Sequence, residues 1–244
     1  MAGKWADRLR PVAAVGLAAG LAGLGLLSLI YRDFTLQWEP VPAHWPERHL
    51  MAVASGLILL GAGLAILVRR SRPWGAALAA AFIGLWALVL HGPRALAHPA
   101  DLTIWLAMAE CAAMAIGAFI LFRDPRPGVG IAVRVFGLCC LVFGASHFLY
   151  ARFTAGMVPR WLPMPLVLAY ATGAVHALTG LALVLRRWVR PAAMIEAGMM
   201  TSFVLLVHVP RVAAAPTSRI EITLLLIALT LSSAAWIVAS ARKG

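Results

Sequence analysis

Apolar residues gather along this chain in eight runs, at about 12–30, 50–68, 74–91, 102–122, 130–150, 164–185, 192–208 and 220–240. Arginine and proline concentrate in the short segments between them. Each run holds about 17–22 residues, and roughly 20 are needed to cross about 30 Å of hydrocarbon at about 1.5 Å per residue. No water reaches the backbone groups of a segment inside a bilayer, so such runs must be helical. The pattern predicts an all-α integral membrane protein with eight transmembrane helices. The first run follows Lys4, Arg8 and Arg10, the profile of a signal peptide. It is long, and no small-x-small cleavage site precedes Asp33, so a retained helix is expected.

The runs are written twice. Trp86-Ala-Leu-Val-Leu-His91-Gly92-Pro93-Arg94 returns as Phe203-Val-Leu-Leu-Val-His208-Val209-Pro210-Arg211, and 208 − 91 gives an offset of 117. At that offset Pro42 falls on Pro159, Pro46 on Pro163, Gly56 on Gly173, Gly63 on Gly180, Arg69-Arg70 on Arg186-Arg187 and Pro99 on Pro216. Proline, glycine and arginine set backbone geometry and membrane sidedness, so a duplication would keep them. The expected organisation is two four-helix repeats, 1–126 and 127–244, the second a diverged copy of the first. Four spans is an even number, so both copies sit the same way up. A pseudo-twofold axis along the membrane normal should relate them, making the chain an internal pseudo-dimer. Within each second span the glycine pairs 56/63 and 173/180 lie seven apart on one face, where helices can approach closely.

Composition agrees. The chain is 62% hydrophobic and 12% charged with a mean hydropathy of +0.89, too little polar side chain to cover a soluble surface. The net charge of +12 and pI near 11.3 do not point to nucleic acid, because the arginines stand at the ends of apolar runs and form no aromatic-interleaved basic face. Lys4, Arg8, Arg10, Arg69, Arg70, Arg72, Arg123, Arg126, Arg134, Arg186, Arg187, Arg190, Arg242 and Lys243 flank one side, 14 cations. Arg32, Arg48, Arg94, Arg152, Arg160, Arg211 and Arg219 flank the other, 7 cations. The 14:7 bias places both termini in the cytoplasm. Lys4 and Lys243 are the only lysines, and this arginine-rich, alanine-rich usage points to a bacterium, hence to its cytoplasmic (inner) membrane. The two longest connections, 31–49 and 151–163, carry Trp38, Trp45 and Trp161 among prolines. Proline denies them a regular helix and tryptophan favours the headgroup level, so both are expected to lie along the outer interface as caps.

Candidate chemistry is sparse. Under this topology His44, His49, His91, His98, His147 and His208 fall at or near the outer face, and His176 lies mid-span. His91 and His208 read first as helix stops, since a helix C-terminus favours His and Arg and a following proline ends it. The functional alternative is that the two imidazoles face each other across the pseudo-axis and bind a metal, a haem or a quinone oxygen, with Arg94 and Arg211 adding positive potential. Without Cys-x-x-Cys-His a covalent haem is excluded. A b-type haem can be ligated by His91 with His208, or by His147 with either, but no spacing requires it, and no metal site is assigned. Cys111, Cys139 and Cys140 lie within spans without Cys-x-x-Cys spacing and read as small apolar residues. Glu110, Glu196 and His176 are the ionisable groups at membrane depth. Each should face the bundle interior, be neutral or have a partner, and Glu196 and His176, on adjacent spans, can pair. The candidate ligand set is therefore His91, Arg94, His147, His176, Glu196, His208 and Arg211. No phosphate loop, serine-nucleophile motif or dense carboxylate cluster is present.

Arg134-Val-Phe-Gly137, Gly144-Ala-Ser-His147-Phe148 and Val158-Pro159-Arg-Trp161-Leu162-Pro163 resemble the DoxX family of four-span bacterial membrane proteins. Tyr170-Ala-Thr-Gly173-Ala-Val-His176-Ala-Leu-Thr-Gly180 and Leu205-Leu-Val-His208-Val-Pro210-Arg211 fit the same pattern. The likeness covers about 130–240, and the first copy shares it more faintly through Pro42, Pro46, Gly56, Gly63 and the segment from His91 to Arg94. At the shared offset the first copy has Ile30 at the place of His147 and Leu59 at the place of His176. The resemblance implies a cytoplasmic-membrane subunit of a redox, quinone-linked system, with a membrane or periplasmic redox partner protein and a quinone as the candidate cofactor. The alternative is a transporter, or a lipid- or small-molecule-binding protein, that uses the cleft between the repeats. A scaffold without a ligand is the third possibility.

Overall fold

The computed structural model describes the backbone of residues 2–125 and 127–241, with side chains from Arg8 onward. The Arg126 boundary and the cations Lys4, Arg242 and Lys243 of the sidedness count lie outside the described side chains. Among the described residues there are helices and no strands. Eight are long and apolar enough to cross a membrane. They are α1 (Ala2–Tyr31), α2 (Arg48–Leu67), α3 (Arg72–Ala97) and α4 (Leu102–Arg123), then α5 (Val129–Leu149), α6 (Pro165–Val184), α7 (Val189–Ala214) and α8 (Arg219–Ala239). The chain is a multi-pass membrane protein.

Neighbours in sequence pack in space. Helix α1 packs on α2, α2 on α3, α3 on α4, α4 on α5, α5 on α6, α6 on α7 and α7 on α8, while α8 returns to α1. Helices α4 and α8 also touch each other across this ring. They approach closely where a Cβ added to Gly117 would meet the Ala234 Cβ at 2.5 Å. Leu17, Leu21, Leu59, Ile83, Met114, Phe136, Leu183 and Ile237 fill the interior. Large side chains such as Leu57, Leu88, Ile131 and Leu178 face outward, as a lipid-facing surface requires.

Glycine sets the tightest contacts. A Cβ on Gly25 would lie 2.5 Å from the Gly56 carbonyl, and one on Gly63 would lie 2.6 Å from that of Ala18, so α1 and α2 touch backbone to backbone. In α5 and α6 the corresponding contacts are Gly144 with the Gly173 carbonyl at 2.9 Å and Gly180 with that of Gly137 at 2.7 Å. A Cβ on Gly56 would meet that of Ser28 at 3.1 Å, and one on Gly173 would meet that of His147 at 2.9 Å, so Ser28 makes against α2 the contact that His147 makes against α6. Ile30 is exposed.

The helix-stop expectation for the two His-x-Pro-Arg phrases is overturned. Helix α3 passes through a π-helical turn, Trp86–His91, and continues as α-helix over Gly92–Ala97; α7 does the same through Val204–His208 into Val209–Ala214. In each turn an N–H reaches back five residues, from Gly92 to the Ala87 carbonyl and from Val209 to that of Val204. A proline lacks an N–H and crowds the carbonyl four residues before it. Widening the turn just ahead of Pro93 and Pro210 takes up that conflict without ending the helix. The expected spans 74–91 and 192–208 are thus 26-residue helices.

The connections depart from the expected interfacial caps. After α5 the chain forms a short helix, Ala151–Met157, before its prolines. After α1 it makes a single 3-10 turn, Leu36–Trp38, that carries Trp38 and Glu39 into the protein, each 2% exposed. Trp45 alone of that loop's tryptophans is exposed. The loop is pinned by Asp33, which accepts from Arg48 and, at 3.2 Å, from Arg219 of α8; Arg219 also donates to the Phe34 carbonyl at 2.6 Å. At the opposite end Arg10 of α1 pairs with Asp124 just after α4.

Candidate functional site

Two buried polar clusters interrupt the apolar interior, one in each half. In the second half, α5, α6 and α7 bring together His147, His176, Glu196 and Cys140. Glu196 is completely buried and His176 is 2% exposed. His176 Nδ1 lies 2.6 Å from Glu196 Oε1, and the Cys140 thiol donates to the same oxygen at 3.6 Å. Glu196 Oε2 is buried without a hydrogen-bond partner. The His147 ring packs edge-on against His176 at 4.9 Å, and Phe203 lies against both rings, 6.1 Å from each and stacked on His147. Thr172 fixes the orientation of His147. Its hydroxyl sits 2.9 Å from the Leu168 carbonyl and 3.0 Å from that of Ala169, so it donates to the helix backbone and offers a lone pair to His147 Nδ1 at 2.9 Å. His147 then carries its proton on Nδ1 in the neutral ring. Unlike His176, Glu196 and Cys140 it is half-buried, on the last turn of α5. The cluster thus runs from a partly open imidazole to a sealed carboxyl.

In the first half the inserted loop supplies the polar groups. The Trp38 indole N–H donates to Glu110 Oε2 at 2.6 Å, and the Trp38 carbonyl accepts from His91 Nε2 at 3.1 Å and from the Cys111 thiol at 3.6 Å. His91 is fully buried, and its Nδ1 has no partner. Glu39 accepts from Ser55 and, at 2.9 Å, from the Thr35 N–H. Burial pushes the Glu39 carboxyl above its ordinary range, and these hydrogen bonds only partly offset that. Ser55 and Thr172 stand 117 residues apart, and both use a hydroxyl to hold the ionisable group of their half.

The remaining candidates stand apart from these clusters. His208 is buried with Nδ1 unpartnered. Arg211 makes a bidentate pair with Glu221 of α8 at 2.8 and 2.7 Å, a structural tie between α7 and α8. Arg94 is exposed. His91 faces Trp38 and Cys111, and no contact among the described residues joins it to His208. His91 gives its Nε2 to the Trp38 carbonyl, and its Nδ1 is buried without a partner.

Sequence reasoning brought His176 to Glu196 but missed Glu39, Trp38 and the thiols as polar participants. Glu39 and Trp38 lie in a loop between spans, where position alone gives no sign of burial. No family model, curated protein or solved structure matches the chain.

Proposed function

We propose that this chain is a DoxX-type protein of a bacterial cytoplasmic membrane, built as a tandem pair of four-helix units with both termini inside, and serving a quinone-linked redox system. The duplication is supported by element boundaries that recur at 117 residues. Arg48–Leu67 maps onto Pro165–Val184, and Gly92–Ala97 onto Val209–Ala214. The residue before α2 and the residue before α6, Glu47 and Met164, share a left-handed backbone at φ 52°. The helix contacts exchange in the same way, α1 on α8 for α5 on α4, with the α4–α8 contact at the centre. A pseudo-twofold along the membrane normal accounts for all of these.

The redox reading rests on one observation above the others: half-buried His147 stands at the head of a buried series leading to His176 and Glu196. A quinone headgroup presents planar carbonyl oxygens that take up protons on reduction. His147, beside the Phe203 ring and one turn from the end of α5, suits such a headgroup arriving laterally from the bilayer. His176 and Glu196 form a site where a proton is held out of contact with water. Bound quinone would supply the redox chemistry, and a partner protein would exchange the electrons. The chain's own residues orient the headgroup and hold a proton at the His176–Glu196 pair.

The test is direct binding of a short-chain ubiquinone analogue to protein purified in mild detergent, together with analysis of quinone extracted from it. The expected result is saturable stabilisation that weakens in His147→Ala and Glu196→Gln. A protein that carries no quinone and is not stabilised by the analogue would overturn the reading. A transporter working through a cleft between the halves needs the α4–α8 seam to part where Gly117 meets Ala234. Net solute flux into proteoliposomes is the result that would favour it.

A further inference from the structure

A cleft of about 320 Å³ opens on the outer surface between α3 and α4, lined by Ala77, Ala80, Ala81, Ala115, Ile116 and Phe119. Its walls are apolar, and it sits on helices that span the membrane, so hydrocarbon is what it meets. Three observations mark it as a binding groove for one particular occupant.

The first is its mouth. The cleft begins near the end of the bundle that carries the termini, beside Phe122, and the Arg123 guanidinium lies 5.8 Å over the Phe122 ring. Arg69 and Arg70 are exposed in the turn that leads into α3 at the same end. Cations therefore stand at the end of the bundle where the headgroup of a lipid in the cleft would sit. The second is Trp74, 75% exposed on the first turn of α3. At helical spacing it shares a face with Ala77 and Ala81, about one to two turns toward the headgroup level. An amphipathic ring there marks the boundary between acyl chain and headgroup. The third is a difference from the second half. At the 117-residue offset Ala77, on the cleft wall, becomes the larger Met194, which packs against the core, and Phe119 becomes Trp236, whose indole donates to Thr201 at 3.0 Å and ties α8 to α7.

We propose that the α3–α4 cleft binds one acyl chain of an anionic phospholipid, whose phosphate is held by Arg70 and Arg123. The cleft supplies shape for the chain, and the arginines supply selectivity for negative charge. The site is independent of the His147 cluster, which lies on α5, α6 and α7.

The experiment uses the full chain in a neutral detergent, with phosphatidylglycerol and phosphatidylcholine of identical acyl chains, and reads retained lipid by native mass spectrometry. Phosphatidylglycerol should be retained in preference, and the double variant R70Q/R123Q should erase that preference, at about fivefold per cation. The filling variant A77L/A81L should lower retention of both lipids. Phosphatidylglycerol with a photoreactive group on its acyl chain, bound to the unaltered protein, should label residues of α3 and α4 around the cleft, a readout that needs no variant to fold. Equal retention of the two lipids overturns the headgroup assignment, and labelling spread over the other helices overturns the site.

Discussion

His176 Nδ1 and Glu196 Oε1 meet at 2.6 Å between α6 and α7, with side chains 3% and 0% exposed. Neither group can turn to water if the other is lost. Removing one partner of a buried pair leaves an uncompensated polar group, at a cost of about 3–5 kcal/mol. Glu196→Ala and His176→Ala should each lower the thermal midpoint strongly. The double variant should cost much less than the sum, and a double-mutant cycle read by thermal unfolding in detergent measures that coupling. Additive costs would mean that the pair contributes no mutual stabilisation.

Trp38 acts as an internal ligand of the first half, and its two polar functions can be separated. Trp38→Phe keeps most of the ring volume and the backbone carbonyl that accepts from His91, but leaves Glu110 without its donor. That change should cost about 1–3 kcal/mol, the penalty of an unsatisfied buried group. Trp38→Ala should cost about 3–5 kcal/mol through the added cavity. Equal losses in the two variants would show that the indole N–H contributes little.

The backbone contact of α1 with α2 leaves no room for a methyl group. Gly25→Ala places a Cβ 2.5 Å from the Gly56 carbonyl and should destabilise by about 1–3 kcal/mol. Gly61, on the same pair of helices, has nothing within 4 Å of an added Cβ. Gly61→Ala should be neutral or slightly stabilising, since alanine is the better helix former. Thermal midpoints of the two variants provide the comparison.

Two carboxyls in the loop after α1 should give opposite slopes of stability against pH. Burial pushes Asp33 up, but hydrogen bonds from Arg48 and Arg219 more than reverse this and hold it below its ordinary value of 3.8. A depressed folded value means stability present above 3.8 and lost as pH falls further. Burial holds Glu39 above its ordinary value of 4.5. The folded state then binds more protons than the unfolded chain, so stability falls as pH rises from 4.5 upward. In Glu39→Gln the decline above 4.5 should flatten, while the acid-side loss from Asp33 persists. An unchanged profile for Glu39→Gln would rule out Glu39 as its source.

The proposed orientation is tested by placing cysteines on exposed positions at each end. His44→Cys and Arg160→Cys should react with an impermeant thiol reagent from outside intact cells, and Arg70→Cys and Arg187→Cys should not. The three native cysteines are buried, which keeps the background low. Labelling at Arg187→Cys without labelling at Arg160→Cys would invert the topology.

The eight spans were legible because hydrocarbon imposes one length and one backbone conformation, and both leave a plain trace in the sequence. The boundary at Arg48 or Leu149 needs no knowledge of packing. The sequence also carried the partnership of His176 with Glu196, since two ionisable groups on adjacent spans have few other places to go. The helix ends at His91 and His208 were misread because proline is a stop in an α-helical ladder, whereas a π turn lets the ladder continue. Trp38 was assigned to the interface because tryptophan favours that level in general. Its burial depends on Glu110 and His91, which are 72 and 53 residues away.

On the proposed duplication, the π turns carry a date. A π turn accommodates one extra residue in an α-helical ladder, and both turns close at the same place, Gly92 to Ala87 and Val209 to Val204. An insertion shared by both copies entered the ancestral unit before it doubled. That ancestor had an α4 face able to meet its own image, the self-complementary surface of a symmetric homodimer. Trp38, Glu39 and Glu110 have no such twins, so the polar cluster that the first half builds from its own loop is what sets the two copies apart.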